Sequence, residues 1–150
     1  MPNAIPESVL NAVTKLESFE YDISGITFAK PNELNDAQRG YQDLPPGLFV
    51  IGHESGLGDP IGLDTRDPRL PAWTAMHGEG EWNPVQIADS LNGLIDAVAI
   101  MKRLSAGREC PVAVESSPLP RAECDAGLAA ITNANPESNI EFWAVMLGVE

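Results

Sequence analysis

The sequence predicts an α+β fold, a helix followed by an antiparallel meander and then further helices, and three observations predict it. Apolar residues recur at helical spacing near the start and through the second half of the chain. Short β-type runs separated by Gly- and Pro-rich turns fill the middle. The resulting order of helix, sheet, then helices lacks the alternation that a βαβ fold requires. At 150 residues and 43% apolar content, the chain matches one domain with a sizeable core.

Taken in order, residues 6–17 place Val9, Val13 and Leu16 on one helical face, with Leu10 beside it. Residues 26–28 form a first strand that Pro31 ends, and residues 32–42 read as polar and turn-rich. Leu48-Phe49-Val50-Ile51-Gly52 is a second strand, entered from Pro45-Pro46-Gly47. The turn Ser55-Gly56-Leu57-Gly58-Asp59 and the run Pro60-Ile61-Gly62-Leu63-Asp64 complete a hairpin. A turn over 65–69 leads to a strand over 70–76 that carries Trp73, so three neighbouring strands make an antiparallel meander. A helix is then expected from Asn83 as N-cap, with Pro84 first and Gln86 as the capping-box partner. Ile87, Leu91, Leu94, Ile95, Val98 and Met101 mark its face, Lys102 and Arg103 its last turn, and Gly107 its stop. A further helix over 121–132 turns Cys124, Leu128 and Ile131 inward. A last one begins at Asn135-Pro136-Glu137, carries Ile140, Trp143, Ala144 and Leu147, and stops at Gly148.

Charge narrows the function classes. Twenty-two acids against nine bases leave −13, and residues 40–101 hold nine acids against Arg66 and Arg69 alone. Such a surface repels nucleic-acid phosphates and anionic lipid, whose binding depends on Lys and Arg displacing counterions. It favours a basic protein partner through faster, salt-sensitive encounter. No apolar stretch approaches the roughly 20 residues of a membrane span. MPNAIPESVL lacks the basic region and apolar run of a secretory signal, and no N-x-[ST] sequon occurs. Cys110 and Cys124 show no CxxC spacing and read as reduced thiols, so the expected compartment is the cytoplasm.

Catalytic patterns are incomplete wherever they begin. Gly56-Leu57-Gly58 followed by Gly62 is not G-x-G-x-x-G, since Ile61 takes the third glycine position, and no Lys follows as in a P-loop. His53-Glu54 lacks the second His of HExxH, and no calcium-loop pattern occurs. His53, Asp59, Asp64 and His77 lie near strand ends, yet no pair has metal-site spacing. Ser55 would need a glycine at position 53 to make a nucleophile elbow. The expectation is therefore no catalytic residues, no metal and no cofactor. Trp73 and Trp143 read as core. Trp82 reads as the residue preceding the cap, stapled onto the following helix; exposed, it would instead anchor a partner within an acidic surround.

One ordered set of segments resembles a known group. It runs Leu48-Phe49-Val50-Ile51-Gly52, Gly58-Asp59-Pro60-Ile61-Gly62-Leu63-Asp64, Leu70-Pro71-Ala72-Trp73-Thr74-Ala75-Met76-His77-Gly78, then Trp82-Asn83-Pro84-Val85-Gln86-Ile87-Ala88-Asp89-Ser90-Leu91. In order and spacing this is similar to the SUKH superfamily, which includes bacterial immunity proteins and the yeast cell-wall assembly regulator of the Smi/Knr type. The resemblance covers residues 25–104 and, more loosely, the remainder. It implies a curved, mostly antiparallel sheet with flanking helices, a single domain over 1–150, and no catalytic residues. It also implies binding of a toxin domain, often a nuclease. The expected function is accordingly a non-enzymatic immunity protein that neutralises a basic toxin domain by direct contact. Asp59, Asp64, Asp67, Glu79, Glu81 and Trp82 are its partner-binding candidates, with the acids on one exposed face around the strand ends. A regulatory scaffold of the cell-wall regulator type is the alternative, followed by a small metal-dependent hydrolase.

Overall fold

The computed structural model describes residues 4–19, 25–78, 80–106 and 117–149. Five strands form one curved, open antiparallel sheet in simple meander order: β1 (Ile26–Phe28), β2 (Leu48–Glu54), β3 (Pro60–Asp64), β4 (Ala72–Thr74) and β5 (Val85–Ala88). Helix α1 (Glu7–Leu16) precedes the sheet, and α2 (Leu34–Arg39) lies between β1 and β2. Helices α3 (Leu91–Leu104), α4 (Arg121–Ala134) and α5 (Glu141–Met146) follow it. The α+β class and its antiparallel sheet thus agree with the sequence reading.

Strand alternation sorts the sheet into two unequal faces. Phe49, Ile51, Ile61, Leu63, Ala72 and Ile87 point to the helices, where Val9, Val13, Leu16, Leu94, Val98, Met101, Ile131 and Trp143 complete the main core. A bulge in β2 between Val50 and Gly52 lets Ile51 enter this core without displacing Ile61. Trp143 is fully buried and its Nε1 donates to the Ile87 carbonyl at 2.8 Å, so its polar edge is satisfied inside the core. The opposite face carries a smaller cluster of Leu48, Val50, Trp73 and Ala75 under Ala37, Tyr41, Leu44 and Trp82. Gly62 is required there because a Cβ would run into the Trp73 indole lying across it, and would stand 2.6 Å from the Phe49 carbonyl.

Three local expectations are corrected. Residues 83–88 are not the start of a helix: β5 occupies Val85–Ala88, and the helix begins at Leu91. Asn83, Pro84 and Gln86 satisfy the capping pattern, but Ile87 and Ala88 gain more by burial against β4. The true cap is Ser90, whose Oγ accepts the Gly93 N–H at 3.0 Å. Residues 32–42 contain α2, whose Gln38 side chain accepts the Val50 N–H at 2.8 Å and donates to its carbonyl at 2.6 Å. That amide takes the place of a strand neighbour where β1 has ended. Asn135 does not start the last helix either. It caps α4, is 2% exposed, and its carboxamide bonds the Asp89 N–H and the Gly93 and Ile131 carbonyls. Gly107 and Cys110 lie outside the described residues. Cys124 is buried, with its thiol 3.8 Å from the Leu147 carbonyl.

Candidate partner-binding cleft

The loops that cover the smaller cluster leave a cleft of about 510 Å³ between them. One wall is the 42–46 loop; the other is Gly78, Gly80, Glu81 and Trp82. Pro45 and Pro46 stiffen the first wall, since each ring fixes its φ. Asp43 holds a left-handed φ of 61°, which short polar side chains tolerate better than apolar ones. Gly78 and Gly80, at φ 81° and 86°, allow the second wall to turn back on itself.

Two aromatic side chains tie these walls to the sheet. The Trp82 Nε1 donates to the Gln42 carbonyl at 2.7 Å, bridging the two loops directly. The Tyr41 ring meets Trp82 edge to face, with centroids 6.1 Å apart, and its hydroxyl donates to the Gly58 carbonyl in the hairpin turn at 2.6 Å. Burial, with the Asp59 charge second, pushes the Tyr41 phenol above its ordinary range, so it stays a donor. Trp82 is therefore half-buried against Tyr41 and the second cluster. It is not stapled onto the following helix, which begins nine residues later.

The predicted acids separate into two groups. Asp59 sits at the hairpin end, accepting the His77 N–H at 3.1 Å with its Oδ1 2.6 Å from the His77 Nδ1. His77 adjoins Gly78 of the cleft wall, so Asp59, Glu81 and Trp82 share one end of the sheet. Asp64 lies at the other end of β3, five residue steps or roughly 16 Å away along the strand. Its carboxylate takes two bonds from the Arg66 guanidinium, both 2.9 Å, and a third from the Arg66 N–H. Those bonds hold its carboxyl below the ordinary range. Asp67 is held the same way by Arg69, at 2.8 Å to the N–H and 3.0 Å to the guanidinium. The expected single acidic face is thus divided, and Glu79 lies outside the described residues.

Sequence reasoning missed Asp43, Tyr41 and the 42–46 loop as site elements. The only signal was Pro45-Pro46-Gly47, which marks a rigid entry to β2 as readily as a cleft wall. A smaller cleft of about 150 Å³ opens beside Asp64, Arg66 and Gln86, next to Trp73. The Trp73 indole N–H is buried and, among the described residues, has no acceptor.

Among the described residues no group of three or more His, Cys, Asp or Glu side chains converges in a way that could hold a metal ion. No described helix is long and apolar enough to cross a membrane. The fold and cleft define an open α+β meander with an acidic, aromatic groove beside the smaller cluster. Comparison with protein families, curated proteins and solved structures gives no match.

Proposed function

We propose that this protein is a non-enzymatic binding protein whose partner is a basic protein domain, and that it works in the cytoplasm as an immunity protein neutralising a toxin. The observation that carries the reading is the excess of carboxylates over cations, which leaves most described acids, those on the cleft walls among them, outside any ion pair. Asp36, Asp59, Asp64, Asp67 and Asp125 each have an Arg or His partner. Asp43 and Glu81, on the two walls of the larger cleft, are in no ion pair among the described residues. With a net charge of −13, these carboxylates are available to a cationic surface. The ordered resemblance to the SUKH superfamily supports the same reading and suggests a nuclease domain as the target, since such enzymes carry basic surfaces.

The test is affinity capture of the tagged protein from its own organism's lysate at low and at moderate salt, followed by co-expression with the recovered partner. Stoichiometric recovery of one basic protein, weakened by salt and harmless to cells only in the presence of this chain, is the expected result. Several weak partners and no protection would favour the scaffold reading. Salt-insensitive capture would remove the electrostatic argument.

A further inference from the structure

We infer that the larger cleft is an anchor site for one arginine side chain of the partner, held between the Trp82 ring and the carboxylates of Asp43 and Glu81. The inference rests on the partner-binding reading and deepens it. Asp43 lines one wall and Glu81 the other, both exposed and in no ion pair among the described residues, so a cation entering the cleft has negative charge on both walls. Among the described residues, the cleft lining contains no Lys, Arg or His to offset them. Two basic side chains that adjoin the walls are engaged elsewhere. Arg66 lies with its aliphatic stem on Gly47 and its guanidinium on Asp64, and His77 is on Asp59.

The third element is Trp82. Its indole N–H is occupied by the Gln42 carbonyl, and Tyr41 abuts it edge to face. What remains for a ligand is ring surface, which attracts cations, and guanidinium more than ammonium because a plane can stack on it. An anionic side chain would be repelled by the two exposed carboxylates, and a neutral one would gain no charge attraction from them. The volume of about 510 Å³ admits the side chain together with the backbone that presents it. Preorganisation adds to the fit. Two prolines and the Trp82–Gln42 bond hold the walls before the ligand arrives, so little ordering cost is left for binding.

The probe is a short blocked peptide, acetyl-Gly-Arg-Gly-amide, titrated into the full chain against its citrulline counterpart, which keeps the shape and removes the charge. The readout is the indole N–H resonances of Trp73, Trp82 and Trp143, with Trp82 assigned through Trp82→Phe. Saturable movement of the Trp82 signal by the arginine peptide alone is expected. Asp43→Asn with Glu81→Gln should weaken it about tenfold, while unmoved Trp73 and Trp143 signals report an intact fold. Equal response to citrulline, or an arginine response that survives both substitutions, would overturn the inference. If the double variant captures the natural partner as well as the unaltered protein does, the anchor is wrong and the binding function stands. If the peptide binds as expected but no protein partner exists, the anchor stands and the function is wrong.

Discussion

Replacing Asn135 tests whether the corner between β5, α3 and α4 is held as described. Its carboxamide makes three bonds in a site 2% exposed: 2.9 Å from the Asp89 N–H, 3.1 Å to the Gly93 carbonyl and 3.2 Å to the Ile131 carbonyl. At about 1 kcal/mol net for each bond, Asn135→Ala should cost about 3 kcal/mol. For a domain of this size that lowers the melting temperature by roughly 6–12 °C. A second substitution sharpens the test. A Cβ on Gly93 would fall on the Asn135 carboxamide, whereas its next neighbour outside the residue, the Ala134 carbonyl, stands 3.3 Å away. Alone, Gly93→Ala should destabilise by about 1–3 kcal/mol through overpacking. Combined with Asn135→Ala the overlap is gone, and the better helix propensity of Ala, about 0.8–1 kcal/mol, remains. The double variant should therefore be at least as stable as Asn135→Ala. Urea denaturation of all four proteins, followed by far-UV circular dichroism, measures the coupling. Costs that add within about 0.5 kcal/mol would refute the claimed contact.

Three further outcomes follow from the geometry. Gln38→Ala strips Val50 of both backbone partners beyond the end of β1; it should cost about 2 kcal/mol and speed amide exchange at Val50. Because Arg66 lowers the Asp64 pKa, that pair contributes stability present above the ordinary carboxylate pKa and lost as pH falls through the lowered value. Arg66→Gln should return the Asp64 titration, followed by carbon NMR of its carboxyl, toward the ordinary range. Tyr41 shifts the other way, so its contribution is complete below the ordinary phenol pKa and lost as pH rises through the raised one. Ultraviolet titration should show it ionising after an ordinary tyrosine, and Asp59→Asn should reduce the delay without abolishing it, since burial is the larger cause.

How much of this was legible in the sequence follows from which interactions are local. The α1 stripe of Val9, Val13 and Leu16 and the α3 stripe of Leu91, Leu94, Val98 and Met101 are both buried as their spacing requires. The hairpin between β2 and β3 was marked by its own glycines. The start of α3 was misread because Asn83, Pro84 and Gln86 fulfil a local capping rule, while what places Val85–Ala88 in the sheet is pairing with β4. Helix α2 was missed because its tertiary partner is the Val50 backbone, which no local pattern reveals. At the candidate site, Glu81 and Trp82 were legible as an aromatic among acids. Asp43 was not, because only the fold brings the 42–46 loop opposite them. Asp64 and Asp67 drew attention through their charge, yet each lies two residues before the arginine that pairs with it.

The corner built on Asn135 has a consequence for the order in which the molecule can be assembled. β5 is the last strand of the sheet, and its outer side is met by residues 46 or more positions later: Asn135 at Asp89, Ser138 at Asp89 and Gln86, Asn139 at the Gln86 carbonyl and Trp143 at the Ile87 carbonyl. On the ribosome, the meander emerges before any of them. From the moment β5 is exposed until residue 143 has followed, the nascent sheet has an open side able to pair with another chain. Rapid translation of residues 89–143, or a chaperone holding that edge, would shorten or guard the interval during which such mispairing competes with folding.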